Sequence, residues 1–116
     1  MPRSVDWATG TTSALYGSTK GAMETLTKAW AAEFGPAGVR VNTISPGVSR
    51  EPKSDRSDNG ADPAEVAMRA TPTGGSGPPD AIAHAAVYLA CDEAVFVHGI
   101  VIDVDGGRTG VAVNTI

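Results

Sequence analysis

An α/β fold with parallel strands is predicted by three observations on this 116-residue chain. Residues 13 to 34 carry apolar side chains at helical spacing. Two short β-branched runs, VRVNTI (Val39 to Ile44) and IVIDV (Ile100 to Val104), each follow a helical stretch. Helix and strand therefore alternate, and strands separated by helices pair in parallel because the crossover returns the chain to the same end of the sheet.

The first helix places Leu15, Met23, Leu26, Trp30 and Phe34 on one apolar face. Ala14, Ala22 and Ala29 form a second stripe, small enough to let another backbone approach. Ser13 is the expected N-cap, its hydroxyl accepting an unpaired N–H of the first turn. Gly35-Pro36 stops the helix, since glycine past the end followed by proline cannot continue it. The alternating run Val39 to Ile44 reads as a strand, ended by Ser45-Pro46-Gly47. The polar stretch from Arg50 to Asp62 has no periodicity and predicts a loop long enough to serve as a lid, within a variable segment spanning 48 to 71.

Pro63 to Ala70 predicts a short helix, with Asp62 as N-cap and proline in its first position. Thr71 to Asp80 is a turn-rich connector. Pro79 to Ala90 is helical again, with Ile82, Ala86, Leu89 and Ala90 on one face. Ile100 to Val104 is an unbroken apolar run with a single Asp, which predicts a strand buried on both faces. Val104 to Gly107 turns the chain away. No internal repeat is present, and one partial domain spanning 1 to 116 is expected.

Composition narrows the function classes. Hydrophobic residues make up 41%, enough for a core, while fourteen glycines and eight prolines require short segments. A net charge of −4 with nine scattered Lys and Arg gives no basic footprint for a nucleic acid and no basic amphipathic face for a membrane surface. No apolar run approaches the ~18 residues of a membrane span, and MPRSVDWATG has no hydrophobic stretch resembling a secretion signal. The single cysteine, Cys91, cannot form an internal disulfide and reads as a small buried hydrophobe. A reducing, cytoplasmic setting is the expectation.

Tyr16 and Lys20 are the pair that carries chemistry. Residues i and i+4 are neighbours on a helix face, and a cation beside a phenol favours the phenolate, which makes tyrosine a usable acid or base. Gly17, Ser18 and Thr19 between them leave room for a ligand. From spacing alone, a surface tyrosine beside a solvated lysine is the simpler account, because Y-x-x-x-K arises easily by chance. Other candidates lack parts. GSTKG has glycine after the lysine where a phosphate loop needs Ser or Thr. DVDGG lacks the glutamate that closes a calcium loop, since Asn114 holds that place. His84 and His98 have no ligand partners at metal spacing, and Ser18 has no recognisable triad. The D-R-S-D run reads as a solvated loop.

The stretch YGSTKGAMETLTKAWAAEFGPAGVRVNTISPG closely resembles the active-site helix and following strand of the short-chain dehydrogenase/reductases. The matching residues are Tyr16, Lys20, Gly21, Ala22, Leu26, Thr27, Gly38, Arg40, Val41, Asn42, Pro46 and Gly47. PPDAIAHAAVYLACDEAVFVHGIVIDVDGG also resembles the end of that family, so the likeness runs from about Ser4 to Gly107. It implies the C-terminal portion of a doubly wound, Rossmann-like parallel sheet with flanking helices. It further implies alcohol–carbonyl interconversion with NAD or NADP.

In that resemblance Tyr16 donates or accepts the substrate proton, and Lys20 assists it and holds the cofactor ribose. Ser4, at about the offset of the family's serine, orients the substrate oxygen. Pro46, Gly47 and Val48 pass close to the nicotinamide, where glycine avoids obstruction. Two departures stand out. VSRE (Val48 to Glu51) replaces the stretch in which the family has a cofactor-binding threonine, with Ser49 a weak substitute. The family's glycine-rich pyrophosphate turn and its catalytic asparagine motif have no counterpart, so a truncated enzyme is expected. The alternative is a non-catalytic fragment or interaction module, a homo-oligomer or a companion of another subunit, joined through the first helix and the last helix and strand.

Overall fold

The computed structural model describes residues 11–50 and 68–109, with side chains of the first helix described from Ala14 onward. Two α-helices and two strands make up its regular structure: α1 (Thr11–Phe34), β1 (Thr43–Pro46), α2 (Pro79–Ala90) and β2 (Val101–Val104). The strands form a two-stranded sheet. Thr43 N–H donates to Ile100 O and Gly47 N–H to Val104 O, each at 2.9 Å. The constant register along both strands makes the pair parallel. The predicted α/β class holds, and the described residues contain the corresponding part of a Rossmann-like sheet with flanking helices.

α1 starts at Thr11, so Ser13 lies inside the helix and is not its cap. Threonine at positions 11 and 12 costs a helix only a few tenths of a kcal/mol each, roughly, against better formers. The helix is rich in hydroxyls that would otherwise compete with its backbone. Ser18 donates to Ala14 O, Thr19 to Tyr16 O, Thr25 to Gly21 O and Thr27 to Met23 O. Each bonds back to the preceding turn, which leaves the ladder intact.

The helix ends at Phe34, as Gly35-Pro36 predicts, and passes into one 3₁₀ turn, Gly35–Ala37. The left-handed residue is Gly38 (φ 81°), whose N–H returns to Gly35 O. The stop therefore uses proline at Pro36 and a glycine three positions later than expected.

β1 begins four residues after the predicted start. Between 39 and 42, Gly99 N–H donates to Val41 O (2.8 Å) and side chains make the remaining links. The Asn42 amide donates to Val97 O (2.9 Å) and accepts from Ile100 N–H (3.2 Å), while Val41 N–H donates to His98 Nδ1 (3.1 Å). α2 matches its predicted limits. β2 is not buried on both faces: its residues are half-covered and Asp103 is exposed. A two-stranded sheet has too little covering structure to bury either face fully. Most of the predicted 63–70 helix and of the 50–62 loop lies outside the described residues.

The chain divides into two compact units. In the first (residues 11–43 and 91–102) Thr27, Ala31 and Ala94 are buried, Ala94 within the 3₁₀ turn Asp92–Ala94. In the second (residues 44–50, 68–90 and 103–109) Met68, Thr71 and Asp105 are buried. Neither predicted stripe of α1 is covered: Leu15, Met23, Leu26, Trp30 and Phe34 are exposed, as are Ala14, Ala22 and Ala29. The buried line is Thr27–Ala31, one turn apart, because the segment ending in Gly99 packs there. Cys91 is half-buried rather than fully enclosed.

Candidate functional site

In the first unit, α1 carries Tyr16 and Lys20 one turn apart on its exposed side. The Lys20 ammonium sits over the face of the Tyr16 ring, 5.3 Å from its centroid. That is within cation–π range, so the ring's negative face holds the ammonium in place. Tyr16 is 58% exposed, which leaves its hydroxyl open to a reacting partner. Between them, Gly17 adds no side chain and the Ser18 and Thr19 hydroxyls are bonded to their own helix. The pair is therefore flanked by groups that do not compete for a ligand. Among the described residues no three His, Cys, Asp or Glu gather as a metal site.

The G-x-R-V-N motif proves to be fastening. Gly38 caps the turn, Arg40 donates to Cys91 O (3.3 Å), and Asn42 pins Val97 and Ile100. His98, read from sequence as a surface or turn residue, is the chief fastener. Its Nδ1 accepts the Val41 N–H, so Nε2 must carry the proton and donate to Ala31 O at 2.7 Å. The neutral ring thus joins the end of α1 to the approach of β1. Lys28 adds a bond from α1 to Gly99 O (3.1 Å). A histidine spaced 67 residues from its acceptor leaves no local sequence signal.

In the second unit, Pro46 is exposed and Gly47 and Val48 are half-buried. A Cβ on Gly47 would lie 2.8 Å from Asp105 Cα, so the glycine is required by its own protein backbone before any ligand is considered. Asp105 is buried because it organises the last turn: its carboxylate accepts from Gly107 N–H, Thr109 N–H and the Thr109 hydroxyl. The two glycines that follow are left-handed, Gly106 at φ 66° and Gly107 at φ 86°. That turn, not calcium, explains VDGG.

Ser49 pairs with Gly77 in an isolated parallel bridge, and its hydroxyl is enclosed without a hydrogen-bond partner. Sequence reasoning gave Ser49 only a minor part. Ser4 and Glu51 lie outside the described residues.

A parallel strand pair with flanking helices defines an α/β protein whose first helix carries an exposed Tyr–Lys couple. A family model described as enoyl-(acyl carrier protein) reductase matches residues 5–109. The chain belongs to the short-chain dehydrogenase/reductase family. It is 36% identical over 96 residues to cyclopentanol dehydrogenase of Comamonas testosteroni, covering 83% of this chain and 38% of that protein. It is 41% identical over 102 residues to the inactive 2-(S)-hydroxypropyl-CoM dehydrogenase 2 of Xanthobacter autotrophicus, covering 84% and 44%.

A solved short chain dehydrogenase/reductase family protein superposes with TM-score 0.69 at 39% identity, covering 85% of this chain and 39% of that one. The chain spans about two fifths of the length of the curated relatives it matches.

Proposed function

We propose that this chain carries the acid–base half of a nicotinamide-dependent alcohol–carbonyl oxidoreductase. One observation carries the reading: the Lys20 ammonium held over the exposed Tyr16 ring. The Tyr16 hydroxyl gives its proton to the carbonyl oxygen in reduction and takes one from the alcohol in oxidation. Lys20 keeps a positive charge beside that oxygen and offers its ammonium hydrogens to ribose hydroxyls. Ser4 orients the substrate oxygen, as the family resemblance implies.

The residues fit the nicotinamide end of NAD or NADP. Gly17 adds no side chain beside the Tyr–Lys pair, and Pro46, Gly47 and Val48 are the nicotinamide-lining residues that the family resemblance implies. The bound cofactor supplies or accepts the hydride; the protein moves the proton. General acid–base catalysis of this kind contributes typically about 10²–10⁴-fold to rate.

Titration of the purified chain with NADH and NADPH by fluorescence tests the reading, with Tyr16→Phe and Lys20→Ala alongside. Saturable binding weakened by Lys20→Ala supports it, and turnover lost in Tyr16→Phe with binding retained assigns the proton role. Absence of binding from a folded chain refutes it.

A second reading has its own support. The stripe Leu15, Met23, Leu26, Trp30 and Phe34 is exposed along α1, which favours a module that associates with a second copy or with another subunit. One relative of similar identity is named as inactive. A cytoplasmic site of action accords with a single cysteine that cannot form an internal disulfide.

A further inference from the structure

His98 fastens the first unit through one imidazole that serves two elements at once. Its Nε2 donates to Ala31 O near the end of α1 at 2.7 Å, and its Nδ1 accepts the Val41 N–H at 3.1 Å. One bond needs a proton on the ring and the other needs a lone pair. Both therefore exist together only in the neutral ring protonated at Nε2. The ring also has a place made for it. A Cβ on Gly35 would lie 2.8 Å from Nε2, so the glycine that stops α1 leaves the space the imidazole occupies. The next residue is tied to the same two elements: Gly99 N–H donates to Val41 O (2.8 Å), and the Lys28 ammonium donates to Gly99 O (3.1 Å).

Imidazole is the side chain that ordinarily changes charge between about pH 5 and 8. The charged residues nearest His98 along the joined elements are Lys28 and Glu33 on α1 and Arg40 beside Val41, with Asp92 and Glu93 on the 3₁₀ turn of its own segment. Side chains of those types ordinarily titrate outside that window. His98 is exposed, so a proton reaches Nδ1 from solvent. Two N–H groups then point at each other, and Val41 loses its acceptor. The Nε2–H bond to Ala31 O survives the change.

We propose that protonation of His98 is an acid-operated release between α1 and the approach to β1, breaking the Val41 bond and keeping the Ala31 bond. The 39–42 approach then opens more often, while β1 remains paired from Thr43 N–H to Ile100 O onward. The sign follows from proton counting. The closed form holds a neutral ring and the open form a ring free to bind one proton more, so falling pH favours opening. The device needs neither Tyr16 nor a nicotinamide and stands apart from the proposed reaction.

Amide hydrogen exchange of the full-length chain, followed by NMR between about pH 7.5 and 5.5 and corrected for the intrinsic rate at each pH, reads the release. Protection at Val41 should fall about ten-fold, the scale of one proton taken up by an open imidazole titrating near 6.5. Protection at Thr43 should hold. The ring nitrogen resonances at the upper pH should report a neutral ring protonated at Nε2. His98→Gln supplies a donor and an acceptor that do not titrate, and Gly35→Ala keeps the imidazole but fills its place. Each should remove the pH dependence at Val41, whereas His84→Gln, at the chain's other histidine, should preserve it. The inference is overturned if Val41 is unprotected or its protection is flat with pH, if Thr43 loses protection in parallel, or if the neutral ring carries its proton on Nδ1. A pH dependence that survives in His98→Gln overturns it as well.

Discussion

Tyr16 and Gly47 illustrate two ways in which a single residue is constrained. Among the described residues, Tyr16 has the Lys20 ammonium over its ring and is 58% exposed. Tyr16→Phe should leave the far-ultraviolet circular dichroism unchanged while lowering NADH-dependent carbonyl turnover at least about 10²-fold. Turnover equal to wild type would remove Tyr16 from the mechanism. Gly47 is constrained by packing: the missing Cβ would meet Asp105 Cα at 2.8 Å. Gly47→Ala should cost about 1–3 kcal/mol as the backbones separate, measured as a lower thermal midpoint. An unchanged midpoint would mean that the close approach relaxes without strain.

At the scale of elements, the first unit is closed by side chains standing in for ladder hydrogen bonds. His98 bonds Ala31 O and Val41 N–H at once, and Asn42 does the same for Val97 and Ile100. His98→Ala strands one carbonyl and one amide and should cost about 1–2 kcal/mol. Hydrogen exchange at the Val41 amide should accelerate strongly, with little change in the middle of α1. If exchange there stayed slow, the imidazole would not be the bond's true partner. The same fastening explains why the 39–44 run does not become strand at its start. Alternating β-branched residues favour extension, but before Thr43 the backbone bond to the partner segment is Gly99 N–H to Val41 O, and His98 and Asn42 make the other links.

For the whole molecule the governing fact is how little of the apolar surface of α1 is covered. Leu15 is 74% exposed, and Leu26, Trp30 and Phe34 all exceed a third. Exposed stripes of this length associate. Sedimentation should show species larger than the monomer, shifting toward monomer in Leu26→Glu. A wild-type monomer at tens of micromolar, or an unchanged distribution in Leu26→Glu, would count against association through this face. Among the described residues no helix is long and apolar enough to cross a membrane.

Much of this was legible in the chain. Tyr16 and Lys20 had to share a face once the 3.6-residue period was recognised, because neighbours one turn apart are set by local geometry. The start of α2 at Pro79 and the stop of α1 at Phe34 followed from proline and glycine, whose restrictions act within a residue or two. The family was readable from ordered motifs. What only the tertiary structure decided is which segments meet. Thr27 and Ala31 are buried instead of Leu26 and Trp30 because the segment ending at Gly99 packs on that line. Gly47 is a glycine because Asp105 passes beside it, and the Ser49 hydroxyl is enclosed beside a hollow that residues distant in sequence complete. Local sterics write periodicity into adjacent residues, whereas burial depends on contacts between residues tens of positions apart, and no short window of sequence records those.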